Sequence, residues 1–237
     1  IDQEAGELML RYTQGLAEHA ISGWQVRFSS LDDALVHADI VCVSISTGDL
    51  VAMEKDVNTA EKYGVYQTVG DTTGPAGISR TLRDVPIFID IARKMEKYCP
   101  NAWMIHVTNP LNQLTRAVNR YSSIPCIGLC HNYAGTVSLL AEYFGVAETD
   151  INAVSVGVNH GSWLTRLWVA GRPVQSNELT LEKYLTYLEN KKDPLITHTI
   201  DDTIKQMQDT EWEHLGAYLS FELYEKLGVF PVGDACH

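Results

Sequence analysis

The stretch WMIHVTNPLNQLTRAVNRY, Trp103 to Tyr121, decides the fold. Its first six residues form a continuous apolar, β-prone run, as expected of a strand buried on both faces. Asn109-Pro110 ends the run, and Leu111 to Tyr121 then reads as a helix. The same alternation recurs on both sides. Upstream, DIVCVSIS (Asp39 to Ser46) is a first buried strand. Ile78 to Tyr98 is a helix with Leu82, Val85, Ile89, Ala92 and Met95 on one side, divided or kinked at Pro86. Downstream, PCIGLC (Pro125 to Cys130) is a third buried strand, followed by a helix over Ala134 to Gly145. INAVSVGV (Ile151 to Val158) is a fourth strand, and Trp163 to Val169 is one more. Buried strands alternating with amphipathic helices predict an α/β fold with a parallel sheet.

Further out the pattern is simpler. Asp2 to about Ala20 reads as a helix with Ala5, Leu8, Met9, Tyr12 and Leu16 in one stripe. WQVRF (Trp24 to Phe28) alternates like a short strand, and Leu31 to Ala38 is a short helix. Thr47 to Gly77, rich in glycine, reads as a long loop. After Pro173 the charged, helix-prone stretches Glu178–Lys192 and Asp201–Tyr224 predict a mostly helical second region.

Composition narrows the function. The 237 residues are 45% apolar, which excludes a disordered chain. No apolar run is long enough for a membrane span. A net charge of −12, with no local basic cluster, argues against nucleic acid as a partner. Five cysteines are too few and too irregular for a disulfide scaffold. IDQEAGELML lacks the basic start and apolar stretch of a signal peptide. Together these point to a cytoplasmic protein.

Ligands of open parallel sheets bind beyond the carboxyl ends of the strands. Thr108, Asn109 and Pro110 follow the second strand, Cys130, His131 and Asn132 the third, and Asn159 and His160 the fourth. A thiol and an imidazole at neighbouring strand tips, Cys130 and His160, would share one metal ion. The bland alternatives are a small buried hydrophobe and a backbone-bonded histidine. His131 is a third candidate, as ligand or acid. His106, inside a strand, reads as structural. Asn109 is either a turn residue or an amide presented to substrate hydroxyls. GDTTGPAG (Gly70 to Gly77) is either an ordinary loop or a backbone close to a ligand, with Asp71 ready to hydrogen-bond it. Glu54, beyond the first buried strand, is a solvated loop residue or one on the cofactor side.

The same residues resemble glycoside hydrolase family 4, the NAD- and metal-dependent glycosidases. Tyr63 to Met95 resembles the family's glycine-containing loop and following helix. HVTNPLNQLTRAVNR (His106 to Arg120) is similar to its TNP segment, IGLCHNYAGT (Ile127 to Thr136) to its metal-binding Cys segment, and VGVNHGSW (Val156 to Trp163) to its Asn-His segment. All four occur in the family's order and spacing. Members acting on 6-phosphoglycosides usually carry Asn or Asp after the motif Cys, then Pro two positions later. Here His131, Asn132 and Tyr133 follow Cys130, which resembles the branch acting on unphosphorylated α-glycosides. YQTVGDTTGP with LGVFPVGDACH (Leu227 to His237) is most similar to the α-galacturonidase group, within a branch that includes α-glucosidases.

The resemblance implies a Rossmann-like parallel sheet with a second, mostly helical (α+β) domain, in a lactate/malate dehydrogenase-like architecture. Residues 1–172 would be a partial dinucleotide-binding domain without its first strand, glycine turn and helix. Residues 173–237 would begin a C-terminal substrate and oligomerisation domain of a homodimer or homotetramer. It implies bound NAD⁺ that takes hydride from sugar C3, removal of the acidified C2 proton, elimination of the glycosidic oxygen, addition of water, and return of the hydride. It implies a divalent ion, commonly Mn²⁺, on Cys130 and His160, with Asn109 positioning hydroxyls and His131 assisting the leaving group. Asp234 stands where the 6-phospho members carry a tyrosine base, with His237 beside the same site and Ala235 in place of the expected Arg. Asp2 falls near the adenosine ribose. The competing expectations are a hydroxyacid dehydrogenase of the lactate/malate type and an inactive sugar- or nucleotide-binding fragment.

Overall fold

A computed structural model describes residues 3–20, 23–67, 72–191 and 212–233, with the backbone alone over 212–216. Two layered units follow one another along the chain. The first contains α1 (Gln3–His19), α2 (Leu31–Leu35), β1 (Ile40–Val43), α3 (Asp49–Glu61), α4 (Gly74–Tyr98), β2 (Trp103–His106), α5 (Leu111–Tyr121) and β3 (Cys126–Gly128). β1, β2 and β3 form a parallel sheet in that order, with Cys42 opposite Ile105 and Ile105 opposite Ile127.

One face of this sheet packs on α4 and α5. Met104, Cys126 and Val43 meet Phe88, Ile91, Ala92 and Met95 of α4 and Leu114 and Val118 of α5. α5 buries Leu111, Leu114, Ala117 and Val118, the spacing of one helical stripe. The opposite sheet face leaves Ile40, Trp103 and Ile127 exposed.

The second unit contains α6 (Asn132–Phe144), β4 (Ile151–Val158), β5 (Gly161–Val169), β6 (Arg172–Pro173), α7 (Leu181–Lys191), α8 (Trp212–Leu227) and β7 (Phe230–Pro231). β5 pairs antiparallel with β4, β6 and β7. Its core joins Leu140, Ile151, Leu164 and Val169 to Tyr184, Leu188, Phe221 and Phe230, drawing on both sides of residue 173. Tyr184 and Phe221 stack with centroids 4.3 Å apart.

Several expectations change. Ile151–Val158 is a strand, but not a member of the parallel sheet: its partner is β5, two residues downstream. An apolar run does not reveal which sheet it joins. Trp24–Phe28 forms no strand, and Trp24 is 76% exposed. Alternation alone cannot hold a strand that has no neighbour to pair with. The expected loop at Thr47–Gly77 contains α3, which packs on α4 through Asp56 and Arg83. α4 runs unbroken through Pro86, which lies on its exposed side where the freed carbonyl reaches water. Its buried face is Asp84, Phe88, Ile91, Ala92 and Met95, and Leu82 is 73% exposed. The stripe of α1 buries nothing; Leu8, Met9, Tyr12 and Leu16 face solvent.

β6 is fastened to the turn before α7 by one carboxylate. Glu178 accepts two hydrogen bonds from Arg172 and one from the Gln175 backbone, all at 2.8 Å. These hold its pKa at about 2, well below the ordinary 4.5. A depressed carboxylate pKa stabilises the fold above the unfolded value, and the gain is lost as pH falls towards 2. Arg172 is 54% exposed, so solvent screens the pair. Glu178→Gln is therefore expected to lower Tm by about 2 °C at neutral pH, with the difference vanishing near pH 2 in thermal scans.

Candidate functional site

Three chain segments converge beyond the ends of β2 and β3. The first is the exit of β2. Thr108 is buried, and its hydroxyl accepts the Ile45 N–H at 3.0 Å, tying this exit to that of β1. Asn109 follows, half-buried, on a cis peptide to Pro110, and α5 begins at Leu111.

The second segment is the exit of β3, Leu129-Cys130-His131, which leads into α6 at Asn132. Cys130 is half-buried and His131 is exposed. The third is the tight turn Asn159-His160 between β4 and β5. His160 adopts φ +59°, a conformation unusual for a side chain other than glycine but more accessible to Asn, Asp and His.

These segments bring two donors together. Cys130 Sγ lies 3.7 Å from His160 Nε2. Donors at about 2.1 and 2.3 Å from one tetrahedral ion lie about 3.6 Å apart. Asn159 adds a buried side-chain oxygen with no hydrogen-bond partner among the described residues. No cluster of three or more His, Cys, Asp or Glu stands among the described residues. The described residues thus offer one thiol and one imidazole, with the remaining positions open to oxygen ligands, as in a catalytic rather than a structural metal site. The donor set fits a divalent ion.

The chain's last described residues reach the same place. Val232 donates to the Ser162 carbonyl at 2.9 Å, beside the hairpin turn. Gly233 then donates to Thr136 Oγ1 at 2.7 Å, and that hydroxyl donates to the Asn132 carbonyl at 2.9 Å. Gly233 has φ +90°, and a Cβ there would sit 2.6 Å from Asn132 Cγ. Only glycine lets the strand end lie flush on the start of α6.

The other expected site residues divide into two groups. Glu54 is exposed on α3, not in a loop. Its neighbour Asp56 is engaged instead: burial alone would raise its pKa, but hydrogen bonds from Arg83 and Ser79 outweigh this and lower it. Asp2, Asp71, Asp234 and His237 lie outside the described residues.

The sequence reading missed the anchoring role of Thr136 and the requirement at Gly157. Gly157 has φ +135°, and a Cβ there would lie 2.6 Å from Ser162 Cα. An isolated glycine inside a strand is the available signal of such a close approach.

The Family 4 glycosyl hydrolase profile matches residues 1–146. The chain belongs to this family. Over 146 residues it is 45% identical to the α-galacturonidase of Bacillus subtilis strain 168, a match covering 58% of this chain and 33% of that protein. The crystal structure of the Bacillus subtilis protein lplD superposes with TM-score 0.70 at 34% identity, over 89% of this chain and 48% of that one. The 6-phospho-β-glucosidase of Thermotoga maritima, solved with manganese, NAD⁺ and glucose-6-phosphate, shares the fold. Its TM-score is 0.69 at 24% identity, over 98% of this chain and 50% of that one. The chain therefore spans half or less of the length of these relatives. The α/β fold with a parallel sheet expected from the strand and helix alternation, and the Rossmann-like architecture implied by the resemblance, are thus present.

Proposed function

We propose that this family 4 chain is the cofactor- and metal-binding part of an NAD- and Mn²⁺-dependent α-glycosidase acting on unphosphorylated α-galacturonides. The approach of Cys130 and His160 to 3.7 Å carries the reading. Similarity to an α-galacturonidase supports the sugar, and the His131-Asn132-Tyr133 sequence after Cys130 supports an unphosphorylated substrate. NAD⁺, when bound, supplies a reversible hydride acceptor for C3 of the sugar. A divalent ion, when bound, supplies Lewis acidity at the sugar's O2 and O3.

The chain's own residues act around these groups. Cys130 and His160 hold the ion. Asn109 presents its amide to the sugar hydroxyls from the end of β2. His131, exposed at the start of α6, protonates the departing glycosidic oxygen. Gly233, fixed against Asn132 and Thr136, leads the chain into Asp234, which takes the C2 proton. Asp71 and His237 complete the sugar contacts, and Asp2 and Glu54 serve the cofactor side. Residues 1–172 are assigned to the dinucleotide-binding domain and residues 173–237 to the start of a substrate domain.

Unbridged thiols at Cys42, Cys99, Cys126 and Cys130 support a cytoplasmic setting. No described helix is long and apolar enough to cross a membrane. The exposed apolar stripe of α1 supports assembly into a homodimer or homotetramer.

The test uses the full-length protein with a nitrophenyl α-galacturonide. Cleavage is expected only with both NAD⁺ and Mn²⁺ present, to stop when both are stripped, and to return when both are restored. Undiminished cleavage by the stripped protein would reject the proposal. Accumulation of NADH without cleavage would indicate a hydroxyacid dehydrogenase instead.

A further inference from the structure

The site needs two strand exits at a fixed spacing: Asn109 beyond β2 and Cys130 beyond β3. Both are tied to His106, the last residue of β2 and only 1% exposed. Its imidazole Nε2 lies 2.8 Å from Thr115 Oγ1 on α5. Thr115 Oγ1 also lies 2.8 Å from the Leu111 carbonyl oxygen. The same hydroxyl pairs with His106 Nε2, and which of the two donates follows the imidazole tautomer. Through this bond His106 clamps the first turn of α5, the element that follows Asn109-Pro110.

The backbone of the same residue holds the other exit. The His106 carbonyl accepts the N–H of Leu129, the residue before Cys130, at 2.8 Å. Gly128 lies against the same helix turn: a Cβ there would be 2.6 Å from Thr115 Oγ1 and 2.7 Å from Leu111 Cγ. Thr115 thus contacts both the clamp and the strand that carries Cys130.

Packing alone does not require an imidazole here. The ring meets Phe88 edge-on at 5.0 Å, a contact that Leu or Phe would also make. An apolar residue could not supply the bond to Thr115, and a buried imidazole without a partner would be costly. We propose that His106 is a positioning residue, which sets the spacing of Asn109 and Cys130 by joining the β2 end, the β3 exit and the first turn of α5. This rests on the reading of Cys130 as a metal ligand.

Calorimetric Mn²⁺ binding to the full-length protein tests the proposal, with Tm measured alongside. His106→Leu removes the ring nitrogen and keeps the bulk. Thr115→Val removes the hydroxyl and keeps the shape. His106→Gln carries an N–H at the same number of bonds from Cβ as Nε2, and Thr115→Ser keeps the hydroxyl. Each of the first two is expected to weaken Mn²⁺ binding about tenfold, and the double variant no more than the worse single one. The Gln and Ser variants are expected to stay within about threefold of wild type.

Wild-type Mn²⁺ affinity in His106→Leu and Thr115→Val, with only Tm lowered, would overturn the proposal. So would a folded His106→Gln no better than His106→Leu. If His106→Leu does not fold, the Thr115→Val and Thr115→Ser pair decides. Cys130→Ser separates the two readings. Unchanged affinity there rejects the metal site itself. Weakened affinity there, with His106→Leu and Thr115→Val unchanged, rejects the positioning role alone.

Discussion

Cys130→Ser in the full-length protein is expected to weaken Mn²⁺ binding about 100-fold, roughly 2.7 kcal/mol, and to reduce glycoside cleavage in parallel. The described residues bring two donors together, the Cys130 thiol and the His160 imidazole at 3.7 Å. Removing the thiol leaves the described residues with His160 and the neutral Asn159 oxygen, and the other positions are filled by water as readily on a free ion. The hydroxyl of Ser is not deprotonated at neutral pH and does not replace a thiolate. The cost should fall on binding and not on folding, because Cys130 belongs to neither hydrophobic core. Calorimetry with Mn²⁺ and a thermal scan on the same sample separate the two effects. An affinity equal to wild type would remove Cys130 from the site.

Gly157→Ala is expected to cost at least about 2 kcal/mol of stability and to impair metal binding as well. Two penalties coincide. The backbone sits at φ +135°, where a side chain is strained, and the added Cβ would lie 2.6 Å from Ser162 Cα on the paired strand. Neither obstacle is the far end of a flexible side chain, so the hairpin itself must shift. That hairpin carries His160 in its turn, three residues on. Gly171→Ala is the control: it has φ +75° but nothing within 4 Å of the new Cβ. It should cost only the conformational term, about 1 kcal/mol. Denaturant unfolding of both variants gives the comparison, and equal costs would show that the close approach at Gly157 does not matter.

The parallel sheet was legible where local pattern and tertiary role agree. Trp103–His106 lies between two neighbouring strands, as its apolar run suggested, but only one of its faces is buried: Met104 and His106 are covered while Trp103 is 48% exposed. Leu111–Tyr121 shows one apolar stripe because α5 buries one side. α3 was hidden because flanking glycines masked a helix that buries only Ala60 and is tied to α4 through Asp56, bonded by Arg83 at 2.7 Å and Ser79 at 2.6 Å. Trp24–Phe28 misled because strands are stabilised by partners and not by alternation. The pairing of β4 with β5 had a signal: two β-rich runs separated by the two residues Asn159-His160, the spacing of a tight hairpin.

The candidate site divides in the same way. Sequence order and residue chemistry determined which groups are available: a thiol after one strand, an imidazole after another, an amide at the end of a third. They could not determine that Cys130 and His160, thirty residues apart, meet at 3.7 Å. Cys130 leaves the parallel sheet, and His160 stands in a hairpin of a different, antiparallel sheet. Their meeting depends on long-range geometry: α6 turns the chain between the sheets, with Tyr133 bonded to the β4 carbonyl of Ala153 at 3.3 Å. Hydrophobicity and local propensity act over a few neighbouring residues, so they select the elements. Side-chain packing and backbone hydrogen bonds between distant segments select the pairing, and only they bring the two donors to one point.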